Sequence, residues 1–314
     1  RDVYQGDVVS YSIGFKDNPW TELPLAKILS ERYNSKHYEY EIDGSEIMDL
    51  PQIVGALGDP FQEGGLMVNY TAMRLVHQSS ETPHVILGGD GNDQHFGTSG
   101  KELALHWKFK NNGARLVQLL FDKAGNNSLF EKDNLFFRSE FHNRKILHIQ
   151  QSDTFGFTKH QLNKLNKLGY KVPDYQYLEN TPKSYPDFNN FFFCRNYLVD
   201  IKQVINEVIL YKASKMADLF SNNISFPYMS TELYEFLKQM PVDYKFHGTL
   251  DELSKGQGKS KFLHKRYLKP KLPAEITDRK KQGGFAPLPI FLKDKDQRRT
   301  IFEVIEKSAA VEAL

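Results

Sequence analysis

The sequence has one cysteine, no long apolar run and almost no net charge, and each of these shortages excludes a class of protein. A single thiol cannot form an internal disulfide framework, so we expect a reducing compartment, the cytoplasm. No run approaches the ~20 apolar residues that a transmembrane helix needs, so we expect no membrane partner. A net charge of +2 gives no bulk attraction to nucleic acid, which we also do not expect as a partner.

The rest of the composition is typical of a globular protein. Hydrophobic residues make up 40% of the positions and charged residues 25%, which is ordinary usage. A chain of 314 residues is long enough to bury a sizeable core. Cys194 follows three phenylalanines and is predicted to be a buried apolar residue rather than a nucleophile. Because the chain opens on Arg1 rather than methionine, we expect it to be the back part of a longer polypeptide.

Strand and helix patterns alternate over the first third of the chain. Runs of β-forming residues predict strands at 8–15, 37–42 and 85–87, and helical spacing of apolar residues predicts helices at 20–33, 45–57 and 66–78. This alternation predicts an α/β fold with a doubly wound parallel sheet. Beyond residue 100 the pattern is mainly helical. We therefore predict a nucleotide-binding core over residues 1–105 and a mainly helical part of the same domain over residues 106–314.

The most informative segment, residues 84–97, runs from the third predicted strand into glycines and acids. It contains Gly88, Gly89, Asp90, Gly91 and Asp93. Glycine lets the backbone turn tightly and approach a ligand closely, and open α/β sheets bind ligands at the carboxyl ends of their strands. Carboxylates there suit Mg²⁺, which is held by one or two acidic side chains plus substrate phosphates. The segment predicts a nucleotide–metal site; the alternative is an Asx-rich surface turn.

A second chemical cluster is a run of basic residues near the carboxyl terminus. Its members are Lys255, Lys259, Lys261, Lys265, Arg266, Lys269, Lys271, Arg279, Lys280 and Lys281. We single out Lys281, because a lysine before two glycines can bring a point charge to phosphate oxygens with backbone donors nearby. The alternative for most of these residues is a solvated helix face. A nucleic-acid patch would need interleaved aromatic residues to stack on bases, and the run lacks them.

Taken together, the two clusters resemble asparagine synthetases, in particular the C-terminal synthetase domain of the glutamine-dependent, B-type enzymes and their amide-forming relatives. The strand at 11–15, the loop at 88–97 and the turn at 279–283 occur in the order of that family's landmarks. Further matches are Glu22, Ala26 and His37, residues 226–229 followed by 233–236, and residues 258–263. The resemblance covers essentially the whole chain. It implies an adenine-nucleotide alpha hydrolase-like fold of the PP-loop type.

The resemblance also implies an activity. Such domains adenylate a carboxylate with MgATP, release pyrophosphate, and pass the acyl group to ammonia or an amine with release of AMP. By resemblance, the site residues are Ile13 at the adenine or ribose, Gly88, Gly89 and Gly91 along the nucleotide, Asp93 on Mg²⁺-pyrophosphate, Asp90 in catalysis, and Lys281 on the reacting phosphate. The implied cofactors are ATP and Mg²⁺. The implied partners are a small-molecule or peptide carboxylate and ammonia from a glutaminase domain or subunit, with room for a homodimer.

Departures from the family pattern bear on the substrate. The family's S-G-G-x-D-S phosphate loop precedes the first strand of this chain, and the glutaminase domain lies further upstream, so we expect the chain as given to lack both. The glutamate after the metal aspartate is Gln94, the aspartate of P-F-L-D is Ser230, and the glycine after Gly97 is Thr98. When a family member adopts a new substrate, the residues that line the substrate pocket change before the residues that act on the phosphates.

Three hypotheses follow from these matches and departures. The first is an asparagine synthetase acting on aspartate. The second is a relative that uses the same adenylation for another amide, such as a lasso-peptide cyclase or another amidotransferase. The third is a non-catalytic binding module or fragment, which the expected lack of the phosphate loop favours and the retention of Asp90, Asp93 and Lys281 disfavours.

Overall fold

The computed structural model divides into two compact units. The first unit comprises Arg1–Asp90, Val204–Pro227 and Tyr267–Leu314, and the second comprises Gly91–Gln203 and Tyr228–Arg266. The structure describes residues 4, 6–18, 21–58, 61, 63–79, 85–97, 100–101, 103–104, 107, 167, 169, 186–279 and 294–307, without the side chains of 195, 197–200, 202–203 and 304–305. The boundary predicted near residue 105 falls beside residues outside this part, and it stays a prediction.

A strand–helix–strand unit opens the first unit. Strand β1 (Val9–Phe15) and strand β2 (Lys36–Ile42) pair in parallel and are joined by helix α1 (Leu23–Tyr33). The register sets Phe15 opposite Ile42, and these two buried side chains form a small apolar cluster. Parallel strands need a crossover connection, and α1 supplies it. The first two predicted strands and the helix between them are confirmed.

The helix predicted over residues 45–57 forms in two parts. A 3₁₀ turn covers Ser45–Asp49, and helix α2 (Leu50–Leu57) follows directly. Pro51 lies in the first turn of α2, where its missing N–H leaves no hydrogen bond unmade. Gly58 then ends α2 in a left-handed conformation with φ 74°, a turn that glycine adopts without a steric penalty.

The main core of the first unit lies between three helices. Helix α3 (Leu66–Gln78), which was predicted at these positions, packs with α2 and with helix α6 (Tyr211–Leu219). The buried residues of this cluster are Ile53, Leu57, Tyr70, Met73, Met216 and Ala217. The Tyr211 hydroxyl donates a hydrogen bond of 2.6 Å to the Leu57 carbonyl and ties α6 to the end of α2.

A second pair of parallel strands carries the predicted site segment. The third predicted strand forms as β3 (Ile86–Leu87), and it pairs with β4 (Ile224–Ser225). Within the described residues the parallel strands thus form two separate pairs, β1–β2 and β3–β4. Parallel strands with intervening helices are present, as the α/β prediction requires. One continuous doubly wound sheet stays a prediction. Two further helices of the first unit are α11 (Ala274–Thr277) and α12 (Lys295–Glu306).

The second unit is built from short helices and one antiparallel pair of strands. Its elements are α4 (Asn92–Phe96), α5 (Phe188–Arg195), α7 (Thr231–Lys238), α8 (Val242–Lys245), β5 (Phe246–His247), α9 (Leu250–Ser254), β6 (Lys259–Ser260) and α10 (Phe262–Leu268). A π-helical segment, Asn196–Leu210, joins α5 to α6 along the chain. The mainly helical character expected beyond residue 100 is observed where that part of the chain is described.

Aromatic side chains dominate the core of the second unit. The buried members are Leu103, Ala104, Trp107, Phe191, Phe192, Val242, Phe246 and Leu253. Cys194 packs against this cluster, as predicted for an apolar residue, but it is partly buried rather than buried. None of the helices that the structure describes has both the length and the apolar character needed to cross a membrane.

Candidate active site

Hydrogen bonds to β4 hold the backbone where it leaves β3. The Gly88 N–H donates to the Ser225 carbonyl over 2.8 Å. A Cβ on Gly88 would lie 2.8 Å from atoms of the Phe226 ring, closer than real Cβ atoms come. Glycine is therefore required at position 88 by the packing of Phe226, a reason that the sequence pattern does not reveal.

The next residue, Gly89, is exposed. Among the residues that the structure describes, a Cβ on Gly89 would meet no atom within 4 Å, so Gly89 faces open space within this part of the chain, at the carboxyl end of β3. Asp90 is half-buried, and its Oδ2 lies 3.4 Å from the Cβ position of Gly88. An exposed glycine backbone beside a carboxylate at the end of a parallel strand is the arrangement that α/β proteins use to hold ligands.

The second unit begins with a glycine whose conformation is constrained twice. Gly91 has φ 94°, in the region that side chains seldom adopt, and it directly precedes α4. A Cβ here would also lie 2.6 Å from Met229 Sδ and 3.3 Å from Tyr228 Cβ. Backbone angle and packing together thus fix glycine at position 91.

Asp93, in the first turn of α4, forms an ion pair with Lys261. The two side chains are 33% and 23% exposed respectively, so the pair is open enough for exchange with solvent ions. The Lys261 backbone N–H donates to the Gly97 carbonyl over 2.9 Å, just beyond the end of α4. This contact fastens the start of α10 to the predicted site segment.

His264, on α10, contacts the residue next to Asp93. The Asn92 Nδ2 lies 3.3 Å from His264 Nδ1, and the Tyr228 hydroxyl lies 3.4 Å from His264 Nε2. The ring of Phe96 stacks on the imidazole at a centroid distance of 4.6 Å. Because an amide nitrogen only donates, Nδ1 accepts and the proton resides on Nε2. Burial, and then the charge of Lys261, lower the pKa of His264, so the neutral ring is favoured.

Two basic side chains of the second unit are fully buried, one on α4 and one on α8. His95 and Lys245 are both 0% exposed, and the Lys245 Nζ lies 5.3 Å from the centroid of Phe192. Among the described residues Lys245 Nζ has no hydrogen-bond partner, and neither ring nitrogen of His95 makes a hydrogen bond of good geometry. Burial lowers the pKa of Lys245 to about 8. Burial, then the Lys245 charge, lower the pKa of His95 to about 4, against a smaller raising effect of the Tyr228 backbone.

Lys245→Met is expected to stabilise the protein. The pKa of Lys245 is about 8 in the folded chain and 10.5 in its ordinary environment, so the unfolded chain binds the proton more tightly. The buried lysine therefore destabilises the fold fully below pH 8, and the cost disappears as the pH rises to 10.5. We expect a gain at pH 7 of about 1–3 kcal/mol in the free energy of unfolding, measured by urea denaturation, that shrinks above pH 8.

The matched control for this variant is Lys255→Met, which changes an exposed lysine of the same unit. Its effect should stay within about 0.5 kcal/mol at every pH, as for an ordinary surface substitution. A loss of stability in Lys245→Met, or a gain that does not depend on pH, would mean that the buried ammonium has a stabilising partner.

Comparisons with known proteins assign the chain to a family. A model of the asparagine synthase family matches residues 2–313. The chain belongs to the asparagine synthase family. It is 24% identical over 311 residues to a protein of Bacillus subtilis (strain 168) named asparagine synthetase [glutamine-hydrolyzing] 1. That similarity covers 95% of this chain and 45% of the relative, so the chain spans about half the length of the curated relative that it matches.

Two other landmarks of the family meet in the first unit. The Arg279 guanidinium forms an ion pair with Glu22, which lies between β1 and α1. This ion pair joins Arg279 to the segment between β1 and α1. Lys281, two positions further along, lies outside the described residues, and its role in catalysis stays a prediction.

The Ile13 side chain, on β1, is partly buried. It packs against the cluster of Phe15 and Ile42, as Tyr40 and Met67 also do. A nucleotide contact at Ile13 would therefore have to come from its backbone or from the exposed part of its side chain. The predicted adenine or ribose contact is not tested by this packing.

The donor set fits a magnesium ion bound together with a substrate. The described residues contain no group of three or more His, Cys, Asp or Glu side chains able to hold a metal alone. Asp93 supplies one partly exposed carboxylate. Mg²⁺ is held in this way in many phosphate-transfer sites, by one or two carboxylates with waters and phosphate oxygens as the other ligands. The residues present therefore fit Mg²⁺ as part of a nucleotide complex.

Sequence reasoning missed two members of this site. Lys261 belonged to the basic run and to the matched stretch 258–263, but neither assigned it to this site, and His264 carried no motif. Their contacts with residues 92–97 join distant parts of the chain and have no signature in local spacing. Of the basic run, Lys255, Lys259, Lys265, Arg266 and Lys269 are exposed, as a solvated face requires, whereas Lys261 is not.

Proposed function

We propose that this chain is an ATP-dependent amide-forming ligase domain that adenylates a carboxylate. In the reaction, a carboxylate oxygen attacks the α-phosphorus of ATP and pyrophosphate leaves. The nitrogen of ammonia or an amine then attacks the acyl carbon, AMP leaves and a proton is released. The observation that carries the proposal is the open Gly89 backbone beside Asp90 at the carboxyl end of β3, in a chain of the asparagine synthase family.

We assign the roles of the site residues within this proposal. Gly88, Gly89 and Gly91 line the nucleotide, with Gly89 offering the freest approach to its phosphates, and Ile13 contacts the adenine or ribose. Asp93 would hold Mg²⁺, which would supply positive charge to neutralise the pyrophosphate group. Asp90 acts in catalysis near the reacting carboxylate, and Lys281 stabilises charge on the reacting phosphate.

The acid that is activated is aspartate or a carboxylate that replaces it. Ser230, at the position of the family's P-F-L-D aspartate, is exposed and begins α7 without a side-chain cap. A short hydroxyl here cannot reproduce the charge of the family's carboxylate. This difference favours the second hypothesis, a relative such as a lasso-peptide cyclase or another amidotransferase acting on a different carboxylate.

The source of nitrogen is the remaining part of the proposal. The matched relative is named as glutamine-hydrolysing, and we propose that ammonia reaches this domain from a glutaminase domain or partner. We further propose a cytoplasmic enzyme that acts without nucleic acid or membrane, with a homodimer as one arrangement to be tested by its mass in solution.

Carboxylate-dependent exchange of labelled pyrophosphate into ATP is the direct test. The natural protein at full length should catalyse exchange only when MgATP and the correct carboxylate are both present, and ¹⁸O from that carboxylate should appear in AMP when ammonium is added. Aspartate, other amino acids and peptide acids should be compared in the same assay. Tight MgATP binding without exchange for any acid would favour the binding-module hypothesis, and exchange with aspartate alone would favour asparagine synthesis.

A further inference from the structure

The face of β1 and β2 that lies toward α1 is polar, which is unusual for a sheet face beneath a helix. Alternate residues of a strand point to opposite faces, and the opposite face carries Ile13, Phe15 and Ile42 packed with residues of α3. The face toward α1 carries hydroxyl, imidazole and carboxylate groups instead, from Ser10, Ser12, Ser35, His37 and Glu39. Polar groups beneath a helix cost free energy unless they are hydrogen-bonded, and such departures from an apolar interior are typical of functional sites.

A pocket of about 630 Å³ lies along this polar face. Ser10, Ser12 and His37 line one side of it, and apolar side chains of α1 and of the segment after α10 line another, among them Leu29 and Leu272. Small-molecule sites have volumes in this range and combine apolar walls with a few polar groups. The pocket therefore suits a small ligand that presents one polar group to the strands and an apolar part to α1.

Ser10, His37 and Glu39 form a continuous hydrogen-bonded chain at this pocket. Ser10 and His37 are register partners on β1 and β2, and Ser10 Oγ lies 2.7 Å from His37 Nδ1. His37 Nε2 lies 3.0 Å from Glu39 Oε1. Because a carboxylate only accepts, Nε2 carries the N–H, and Nδ1 of the neutral ring accepts from the Ser10 hydroxyl. The other acceptor beside this hydroxyl, the Lys36 carbonyl, is more distant at 3.4 Å.

This chain has the geometry of an activated serine nucleophile, in which a hydroxyl is bonded to a base and a third group orients the base. The His37 side chain is only 10% exposed, so its ring is held in place by its surroundings as well as by Glu39. The Ser35 hydroxyl lies 3.3 Å from Ser10 Oγ. Since the Ser10 O–H is directed to His37, the Ser35 O–H is the one that can donate to an oxyanion formed beside Ser10.

We propose that Ser10, His37 and Glu39 form a further active site that hydrolyses small carboxylic esters in this pocket. Ser10 Oγ attacks the carbonyl carbon while its proton passes to His37 Nδ1, the ester C–O bond breaks, and the leaving alcohol takes that proton. Water then attacks the acyl group on Ser10, and His37 again accepts a proton and returns it to Ser10 as the acid leaves. Glu39 orients the ring throughout. The inference shares no residue with the proposed ligase site and does not rest on it.

Covalent labelling of the natural protein at full length with an alkyl fluorophosphonate is the first measurement. Ser10 Oγ should attack the phosphorus and displace fluoride, so peptide mass spectrometry should find the phosphonyl group on Ser10. His37→Gln, which removes the base, should lower the rate of labelling by about 10²- to 10⁴-fold. Glu39→Gln keeps an acceptor for Nε2 without its charge and should cause a smaller loss. Labelling of the native protein needs no variant to fold.

Hydrolysis of p-nitrophenyl acetate by the same proteins is the second measurement. Ser10→Ala should lower the release of p-nitrophenolate by about 10²-fold or more. The control variant Ser45→Ala removes an exposed hydroxyl of the same unit and should match the native protein. An unchanged rate in Ser10→Ala, or a phosphonyl group on a different residue or on none, would overturn the proposal whatever the pyrophosphate exchange assay shows.

Discussion

Asp93→Asn is expected to reduce Mg²⁺-dependent pyrophosphate exchange by about 10³-fold or more, since it removes the charge that holds the metal on the leaving group. Asparagine has nearly the same shape as aspartate, so α4 and the turn at Gly91 should form unchanged. The measurement is the exchange rate as a function of Mg²⁺ concentration. If the Asp93 carboxylate is itself a Mg²⁺ ligand, the exchange rate of the variant should stay low even at high Mg²⁺ concentration.

The loss in this variant has a second conceivable cause, because Asp93 also pairs with Lys261. An unpaired lysine left in a partly buried position could disturb the site without any metal being involved. The double variant Asp93→Asn/Lys261→Met removes that lysine as well. If Asp93 holds the metal, the double variant stays as inactive as the single one; recovery of exchange would mean that the aspartate serves mainly to neutralise Lys261.

Asp243→Asn is the matched control for both variants. Asp243 is exposed on α8 in the same unit and takes part in none of the contacts of residues 91–97 described above. Exchange by this control should be indistinguishable from that of the native protein. Unchanged Mg²⁺ dependence in Asp93→Asn, with the same control result, would place the metal on other residues.

The elements of the first unit could be predicted because their signals are local. Alternation of apolar and polar residues specifies β2, and helical spacing specifies α3, whatever the rest of the chain does. Gly58 ends α2 through its own left-handed conformation, which glycine adopts easily, so this helix end depends on one residue. The pairing of β3 with β4 is different, since it joins two-residue strands far apart in the chain and no local pattern indicates the partner.

For the candidate site, the structure adds reasons that the sequence does not carry. Gly88 was singled out for close approach to a ligand, which stays a prediction, and the packing of the Phe226 ring is a further reason for glycine there. Gly89 carries the open backbone that the prediction needed. The burial of Lys245 and His95 was not predicted. Lysine is seldom fully buried in folded proteins and histidine is buried only in some of them, so their burial here depends on tertiary packing, for Lys245 beside Phe192.

Lys281→Ala is expected to slow adenylate formation by about 10³-fold while leaving the fold intact, because a cation that neutralises charge developing on the reacting phosphate acts in the transition state. Lys281 follows Arg279, whose guanidinium forms an ion pair with Glu22. Single-turnover measurement of AMP formation should therefore show a loss in kcat with little change in the KM for ATP.

The matched control for this lysine is Lys269→Ala, which changes an exposed lysine of the same basic run and should leave the rate unchanged. Lys281→Arg keeps the charge but alters its geometry, and it should recover part of the rate if charge alone is needed. A loss of less than about tenfold in Lys281→Ala would contradict the transition-state role. Lys281 would then belong with Lys269 to the solvated face, and the charge on the phosphate would have to be neutralised by Mg²⁺ and other groups.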